Sequence, residues 1–349
     1  MTGQSASSRV LTERELNRAL LARQGLLEPF DDPLPRVLER VAGIQAQYAP
    51  SMYLGLWSRM RGFERDDLTR ALEKRTVVQG TLLRGTIHLV STEDYWPFAV
   101  AVRPELAEWF VKATRGDPSR AELERAATTV RSALRSGPLR QTEIDKLVGR
   151  RARGGINMLM DLVRVPPSGT WERRRADVHV DAESWLGPAD VSVEEAQVLV
   201  VRRYLGGFGP ASRVEIANWA GLPVRSVGAA LDQIDHVRFR AEDGAELVDL
   251  PDAPLPDPAT PAPVRFLPTW DATLLVHARR ARILPEEYRP RVFSAKTPHS
   301  VPTFLVDGSV AGTWRYQNGG IDLTEFDPLP RRVRREVQRA AEALADFHR

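Results

Sequence analysis

The hydrophobic pattern at the start of the chain predicts three helices followed by two strands. Apolar residues recur at helical spacing over residues 12–27, 34–44 and 66–72, and Pro29 separates the first helix from the second. Residues 76–90 are rich in β-branched side chains, which favours two strands. Helix, helix, helix, strand, strand is the element order of a winged helix, whose third helix can enter the major groove of DNA.

The same order of elements returns twice along the chain. A helical bridge leads to a second unit with predicted helices at 119–134, 141–148 and 156–163 and predicted strands at 170–174 and 177–180. A third unit has predicted helices at 193–205, 212–219 and 224–234 and predicted strands at 237–241 and 246–250. The repeat lies in the order of elements and not in sequence identity, so tandem winged helices are predicted from three ordered recurrences.

The last part of the chain has a different character. Residues 251–264 contain six prolines and are expected to form an exposed linker. Short strands are predicted at 266–267, 273–277, 301–306 and 309–314, and an amphipathic helix at 329–347. We therefore expect an α+β fold, mainly α, of tandem winged-helix units with a small C-terminal β-rich element. The expected domains are winged helix 1 (1–91), a helical bridge (92–118), winged helix 2 (119–185), winged helix 3 (186–250), the linker (251–264), and a β-rich cap with the terminal helix (265–349).

Composition narrows the functional classes. Hydrophobic residues make up 42% and charged residues 27% of the chain, which are ordinary globular values. There is neither a signal-peptide pattern nor a long uncharged apolar run, so we expect a cytoplasmic, nucleoid-associated protein without a membrane partner. The absence of cysteine excludes disulfides and thiol catalysis. We expect no metal and no cofactor because the histidines lack metal-ligand spacing: His88, His179, His236, His277, His299 and His348.

Positive charge is concentrated in the second unit. The formal net charge is only +3, but residues 131–175 contain eleven basic and four acidic residues. Such an excess suits a polyanion such as DNA, although solvated helix faces would give the same count. The candidate phosphate contacts are Arg150, Arg151, Arg153, Arg173, Arg174 and Arg175.

Two glutamines stand close together where the second predicted helix ends. They are Gln45 and Gln47, and Pro50 predicts that the helix ends at the residues just before it. Residues two apart are separated by about 200° on a helix, so both could face one substrate only if the helix ended there. Taken alone, two glutamines that cap a helix or face solvent would need no functional explanation.

Several stretches together resemble one family. These are residues 43–50, 56–59, 83–90, 167–171 and 219–222, and Trp270-Asp271 with His277 and Arg282. They resemble the AlkZ/YcaQ family of winged-helix DNA glycosylases over nearly the whole chain. The resemblance implies a C-shaped assembly around double-stranded DNA, with Gln45 and Gln47 at the scissile bond. A glutamine at the second position, where the YcaQ branch has aspartate, favours the AlkZ-like branch.

The resemblance implies hydrolysis of the N-glycosidic bond of N7-alkylated purines, and it leaves bulky adducts and interstrand crosslinks open as alternative substrates. Alkylation at N7 makes the base cationic and a good leaving group, so little acid catalysis is needed. Neutral amide oxygens can orient the water that attacks C1′ and stabilise the sugar cation. No lysine takes a position that suggests a Schiff base, so we expect an abasic site as product.

A predicted strand at 81–90 would place Arg84, Thr86 and His88 on one polar face, where Arg84 and His88 could contact DNA. A histidine hydrogen-bonded in a half-buried sheet would explain His88 equally well. The main functional alternative is a non-catalytic winged-helix regulator, because fold does not fix function. Because no heptad or clear dimerisation helix accompanies the units, we expect a monomer.

Overall fold

The computed structural model describes residues 9–275, 280–293 and 300–349, and its first unit contains more elements than predicted. The unit comprises β1 (Val10–Leu11), α1 (Glu13–Arg23), α2 (Leu34–Arg40), β2 (Ile44–Gln45), α3 (Ala49–Trp57), α4 (Arg65–Glu73), β3 (Val77–Thr81) and β4 (Ile87–Ser91). Three predicted helices are present, with the first one capped by Thr12 and Glu15. The prediction that no strand precedes them was wrong.

Helix α3 is the element that the hydrophobic pattern missed. All of its first eight residues are buried, so the helix has no polar face and no helical periodicity to detect. Pro50 lies in its first turn, where a missing backbone N–H costs no hydrogen bond. Pro50 therefore begins a helix instead of ending one, and α2 ends at Arg40, before the two glutamines.

The predicted continuous strand at 81–90 is interrupted. A 3₁₀ turn occupies Leu83–Gly85, and Arg84 and Gly85 both have positive φ angles, of 54° and 71°. Arg84 therefore does not share a strand face with His88, which lies in β4.

The bridge and the second unit follow the prediction in part. They comprise α5 (Thr92–Ala113), α6 (Arg120–Leu134), β5 (Leu139–Arg140), α7 (Gln141–Leu159), β6 (Leu162–Arg164), β7 (Val178–Asp181) and α8 (Ala182–Leu186). Gly149, with a φ of 79°, breaks α7 into the two predicted helices, but the second half begins and ends earlier than expected. The predicted strand at 170–174 is an irregular segment that bends, because Trp171 is buried against Tyr53 and Phe347 instead of lying in a ladder.

The third unit matches its prediction closely. It comprises α9 (Val193–Phe208), α10 (Arg213–Ala220), α11 (Val224–Leu231), β8 (Val237–Ala241) and β9 (Glu246–Asp249). Ser192 and Ser212 form capping boxes at the first two helices.

The C-terminal element is a sheet covered by the terminal helix. It comprises β10 (Arg265–Leu267), α12 (Ala272–Leu275), α13 (Arg289–Val292), β11 (Thr303–Val306), β12 (Ser309–Gln317), β13 (Gly320–Glu325) and α14 (Arg331–His348). The strands pair antiparallel in sequence order. The predicted strand at 273–277 was wrong over its described part, which is helical in α12, and His277 lies outside the described residues.

Long-range pairing joins the units to one another. The hairpins of the first two units form one six-stranded sheet in the order β2-β4-β3-β6-β7-β5, which is continuous where Gln79 pairs with Arg164. Strand β1 pairs parallel with β8 of the third unit. One hydrophobic core unites α2, α3 and α4 with the cap strands and α14. The fold is thus α+β, mainly α, as expected, and no helix within the described ranges is long and apolar enough to cross a bilayer.

Candidate active site

Gln45 lies at the edge of the six-stranded sheet. Its strand, β2, pairs antiparallel with β4, so that Gln45 stands opposite His88 and Ile44 opposite Leu89. The chain enters β2 through Gly43, whose φ of 77° favours glycine. A Cβ there would also lie 3.0 Å from the Val90 side chain. The sheet, and not a helix end, therefore fixes the position of Gln45.

The two glutamines occupy different environments. The Gln45 residue is only 5% exposed, whereas Gln47 is exposed. The Gln47 Oε1 accepts a hydrogen bond of 3.2 Å from the backbone N–H of Ile87, and the Ala46 N–H donates to the Ile87 carbonyl at 2.7 Å. Gln45 lies in strand β2 and Gln47 in the bend that follows it, so the helical separation of about 200° does not apply to them.

A small cavity lies behind Gln45, between the first unit and the cap. Its lining residues are Gln24, Gly43, Ile44, Gln45, Ser51, Arg59, Pro268, Thr269, Trp270, Asp271 and Ala272. Trp270 has a φ of 65°, which is a genuine outlier for a bulky residue and marks local backbone strain. The cap therefore forms one wall of the pocket that holds Gln45.

A buried ion pair holds the two walls of this cavity together. Arg59 of the first unit donates to the Oδ1 of Asp271 at 2.9 Å, and both side chains are almost fully buried. Arg59 also donates to the Gly55 carbonyl at 3.0 Å and to the Gln24 Oε1 at 3.4 Å. Gln24 in turn donates to the Gly207 carbonyl of the third unit at 2.8 Å. The first unit, the third unit and the cap thus meet in one hydrogen-bond network beside Gln45.

His88 is buried in the sheet next to Gln45. Its Nδ1 lies 3.1 Å from the Thr86 carbonyl. Burial, and to a smaller extent the charge of Arg84, lowers the pKa of His88 to about 3. The imidazole is therefore neutral at physiological pH and is not a cationic phosphate contact.

Arg84 is turned into the protein. Its guanidinium donates to the backbone carbonyl of Trp219 in the third unit. Burial lowers the pKa of Arg84 to about 10, so the side chain stays charged at neutral pH. In this arrangement Arg84 connects the first and third units, and the polar strand face expected to present Arg84 and His88 together to DNA does not form.

Three of the predicted phosphate contacts lie around one pocket. Arg173, Arg174 and Arg175 are exposed and line a pocket of about 410 Å³ together with Arg140 and Ser168. The Arg175 guanidinium pairs with Asp177 at 3.1 Å. We call the pocket formed by Arg140 and Arg173 to Arg175 the arginine pocket.

A tyrosine lies between the arginine pocket and the pair Gln45 and Gln47, which we call the glutamine motif. A guanidinium nitrogen of Arg174 donates to the hydroxyl of Tyr48 at 3.4 Å, and Tyr48 directly follows Gln47. The exposed glutamine and the exposed arginines thus belong to neighbouring surface.

The remaining predicted contacts lie on the second half of α7 and have acidic partners. Arg151 pairs with Asp117 at 2.8 Å, and Arg153 pairs with Asp145 at 2.7 Å. Arg150 lies 3.9 Å from Asp145 and its side chain is 88% exposed. These arginines are accessible, and their role in DNA binding stays a prediction.

Sequence reasoning gave no role to several residues that surround the site. Ser51, Arg59, Asp271, Tyr48 and Arg140 acquire their positions only from contacts between distant segments. Tyr48, Arg59 and Asp271 lie in the stretches of the family resemblance, and Arg59 is also a charge two residues after the apolar helix α3. Arg282, one of the residues of the family resemblance, is buried, and its guanidinium lies 3.6 Å from Glu215.

Comparisons with known proteins agree with this architecture. A family model described as "DNA glycosylase AlkZ-like" matches residues 38–347. Among solved structures, the Streptomyces sahachiroi DNA glycosylase AlkZ is similar, with a TM-score of 0.81, 20% sequence identity and coverage of 97% of each chain. At this identity the structural likeness shows a common fold. No curated protein sequence matches the chain.

Proposed function

Because the chain belongs to the family of AlkZ-like DNA glycosylases, we propose that it removes N7-alkylated purines from double-stranded DNA and leaves an abasic site. The expectations of an enzyme that hydrolyses N-glycosyl bonds and of DNA as its substrate are confirmed by the family. A non-catalytic regulator is therefore the poorer interpretation. The lesion, the duplex form of the substrate and the roles of single residues are the proposed part.

The observation that carries the proposal is the position of the glutamine motif beside the arginine pocket. The side chain of Arg174 lines the arginine pocket and contacts Tyr48, the residue that follows Gln47, so the two features lie next to each other. Arginines can hold phosphates on either side of a lesion while the adjacent amide groups face the sugar. This arrangement supports an enzyme that binds the DNA backbone and acts on one nucleotide.

The electrostatics of the site favour a substrate that departs without help from an acid. His88, the histidine opposite Gln45, has a pKa lowered to about 3, so its imidazole is neutral at neutral pH and cannot act as a general acid. An N7-alkylated purine already carries a positive charge and needs no protonation. The amides of Gln45 and Gln47 would then orient the attacking water and stabilise the oxocarbenium-like sugar.

The test uses a synthetic duplex that carries one N7-alkylguanine. The protein in excess over DNA should release the base faster than it is lost spontaneously, and mild base should then cleave the strand at the abasic site. A duplex with a neutral, unmodified guanine at the same position serves as the control and should stay intact. Binding of both duplexes without release of either base would contradict the proposal. Monomeric state and association with the nucleoid stay predictions.

A further inference from the structure

The hydroxyl of Ser51 is buried without a hydrogen-bond partner among the residues that the structure describes. Ser51 is the third residue of α3 and is 2% exposed. A buried hydroxyl that has no partner lowers stability, so its presence calls for an explanation such as a bound water or a functional role. Its side chain lines the cavity behind Gln45.

The cavity behind Gln45 is so small that a single water could bridge the polar side chains that line it. Its volume of about 10 Å³ accommodates roughly one water molecule. One water in this cavity can bridge two of the polar side chains that line it.

The other polar side chains of the cavity are engaged elsewhere. Asp271 accepts from Arg59 at 2.9 Å and from the Thr273 hydroxyl at 2.8 Å. Thr269 donates to the Ser300 carbonyl at 2.6 Å. Gln24 uses its amide nitrogen on the Gly207 carbonyl and its oxygen on Arg59. Ser51 is thus the polar group of this wall that remains available to Gln45.

We propose that Ser51 is a positioning residue that fixes the orientation of the Gln45 amide. An amide has a donor end and an acceptor end, and only the oxygen can stabilise a cation or accept a proton from water. When one water accepts from the Gln45 nitrogen and donates to the Ser51 oxygen, the amide oxygen is directed away from Ser51 toward the substrate. The inference rests on the proposed catalytic role of Gln45.

The experiment compares Ser51→Ala with Ser58→Ala. Ser58 follows the same helix, is 3% exposed and donates to the Phe266 carbonyl, so its loss removes a buried hydrogen bond. Ser58→Ala should lower Tm and leave the single-turnover rate of base release unchanged. Ser51→Ala should lower Tm less than Ser58→Ala does, because the Ser51 hydroxyl makes no hydrogen bond to any described residue. Its rate at saturating enzyme should nevertheless fall about tenfold, with unchanged DNA affinity.

Two more variants complete the test. They are Gln45→Ala and the double variant that combines Ser51→Ala with Gln45→Ala. If Ser51 acts through Gln45, the double variant should be no slower than Gln45→Ala alone. A parental rate for Ser51→Ala beside a slow Gln45→Ala would overturn the proposal and leave the catalytic role of Gln45 intact. Parental rates for both variants would instead refute the proposed role of Gln45. A slow Ser51→Ala whose loss adds fully to that of Gln45→Ala would show that Ser51 acts independently, and would also overturn the proposal.

Discussion

The sequence predicts the same order of elements for the first and second units, but the two units use polar residues in opposite ways. Around Gln45 the charges are buried and paired, as in Arg59 with Asp271, and the histidine is neutral. In the second unit Arg150 and Arg175 extend into solvent, with side chains 88% and 77% exposed. Neutral amides beside a buried polar network can act on a reacting centre, whereas exposed guanidiniums attract phosphates. The difference predicts that residues of the first unit determine the rate of base release and that residues of the second unit determine the affinity for DNA.

The strongest test of this separation is removal of the amides. Gln45→Ala and Gln47→Ala should each slow base release by about 10²-fold or less, the low end for a positioned catalytic group, because a cationic base departs partly unaided. DNA affinity and Tm should change little. Gln47→Asp should retain activity, because a carboxylate can hold the same water. Single-turnover release of N7-alkylguanine measures the effect, and parental rates in both alanine variants would contradict it.

Removal of the exposed arginines should have the converse effect. Replacing Arg173, Arg174 and Arg175 together by alanine should weaken binding and reduce the slope of log affinity against log salt by about one unit per lost phosphate contact. The rate at saturating enzyme should stay near parental. Fluorescence titrations at several salt concentrations measure the slope.

The matched control changes the charge by the same amount elsewhere. Arg332, Arg335 and Arg339 lie on α14 and line a separate surface pocket. If their replacement by alanine reduces the slope equally, net charge and not the arginine pocket governs binding. An unchanged slope in the Arg173, Arg174 and Arg175 variant would remove that segment from the interface.

The buried histidine should make the first unit sensitive to acid. The pKa of His88 is about 3 in the folded protein, below the ordinary value near 6.5, so between these pH values the unfolded chain binds the proton more tightly. Stability should therefore fall with decreasing pH below about 6.5, by up to about 1.4 kcal/mol per pH unit from this group. His88→Gln should reduce that slope, as measured by denaturant unfolding at pH 4 to 7. A slope identical to the parental one would show that His88 is protonated in the fold.

The smallest expected effect is that of a chelator. Hydrolysis by amide-oriented water needs no metal ion, so base release should proceed at the same rate in EDTA. A rate that is lost in chelator and restored by a divalent ion would replace the proposed mechanism with a metal-assisted one.

The sequence predicted best where structure is local. In the third unit Ser192 and Ser212 cap amphipathic helices, and the turn at 242–244 joins two strands, so each element is specified by its own residues. Around the candidate active site, the structure of a segment depends on residues that are distant in the sequence. Trp171 packs against Tyr53 and Phe347 instead of forming the predicted strand, and the residues next to Trp171 in the sequence do not indicate these contacts.

The two glutamines show the same limit. Their presence was visible in the sequence, and the family resemblance gave them a role. Their unequal exposure depends on the cap, which begins about 200 residues later at Arg265 and supplies Trp270 and Asp271. Helical periodicity could not locate Gln45, because the strand that contains it is two residues long.

The six-stranded sheet also determines how the chain can be divided. Cutting the polypeptide in the segment between α5 and α6 and separating the pieces would part β3 from β6, although the cut lies in a loop. Each fragment would then expose a strand edge whose unpaired N–H and C=O groups can form hydrogen bonds with another strand. The pieces should accordingly reassociate when mixed or aggregate when alone. Despite the repeated order of elements, the first two units cannot be handled as interchangeable modules.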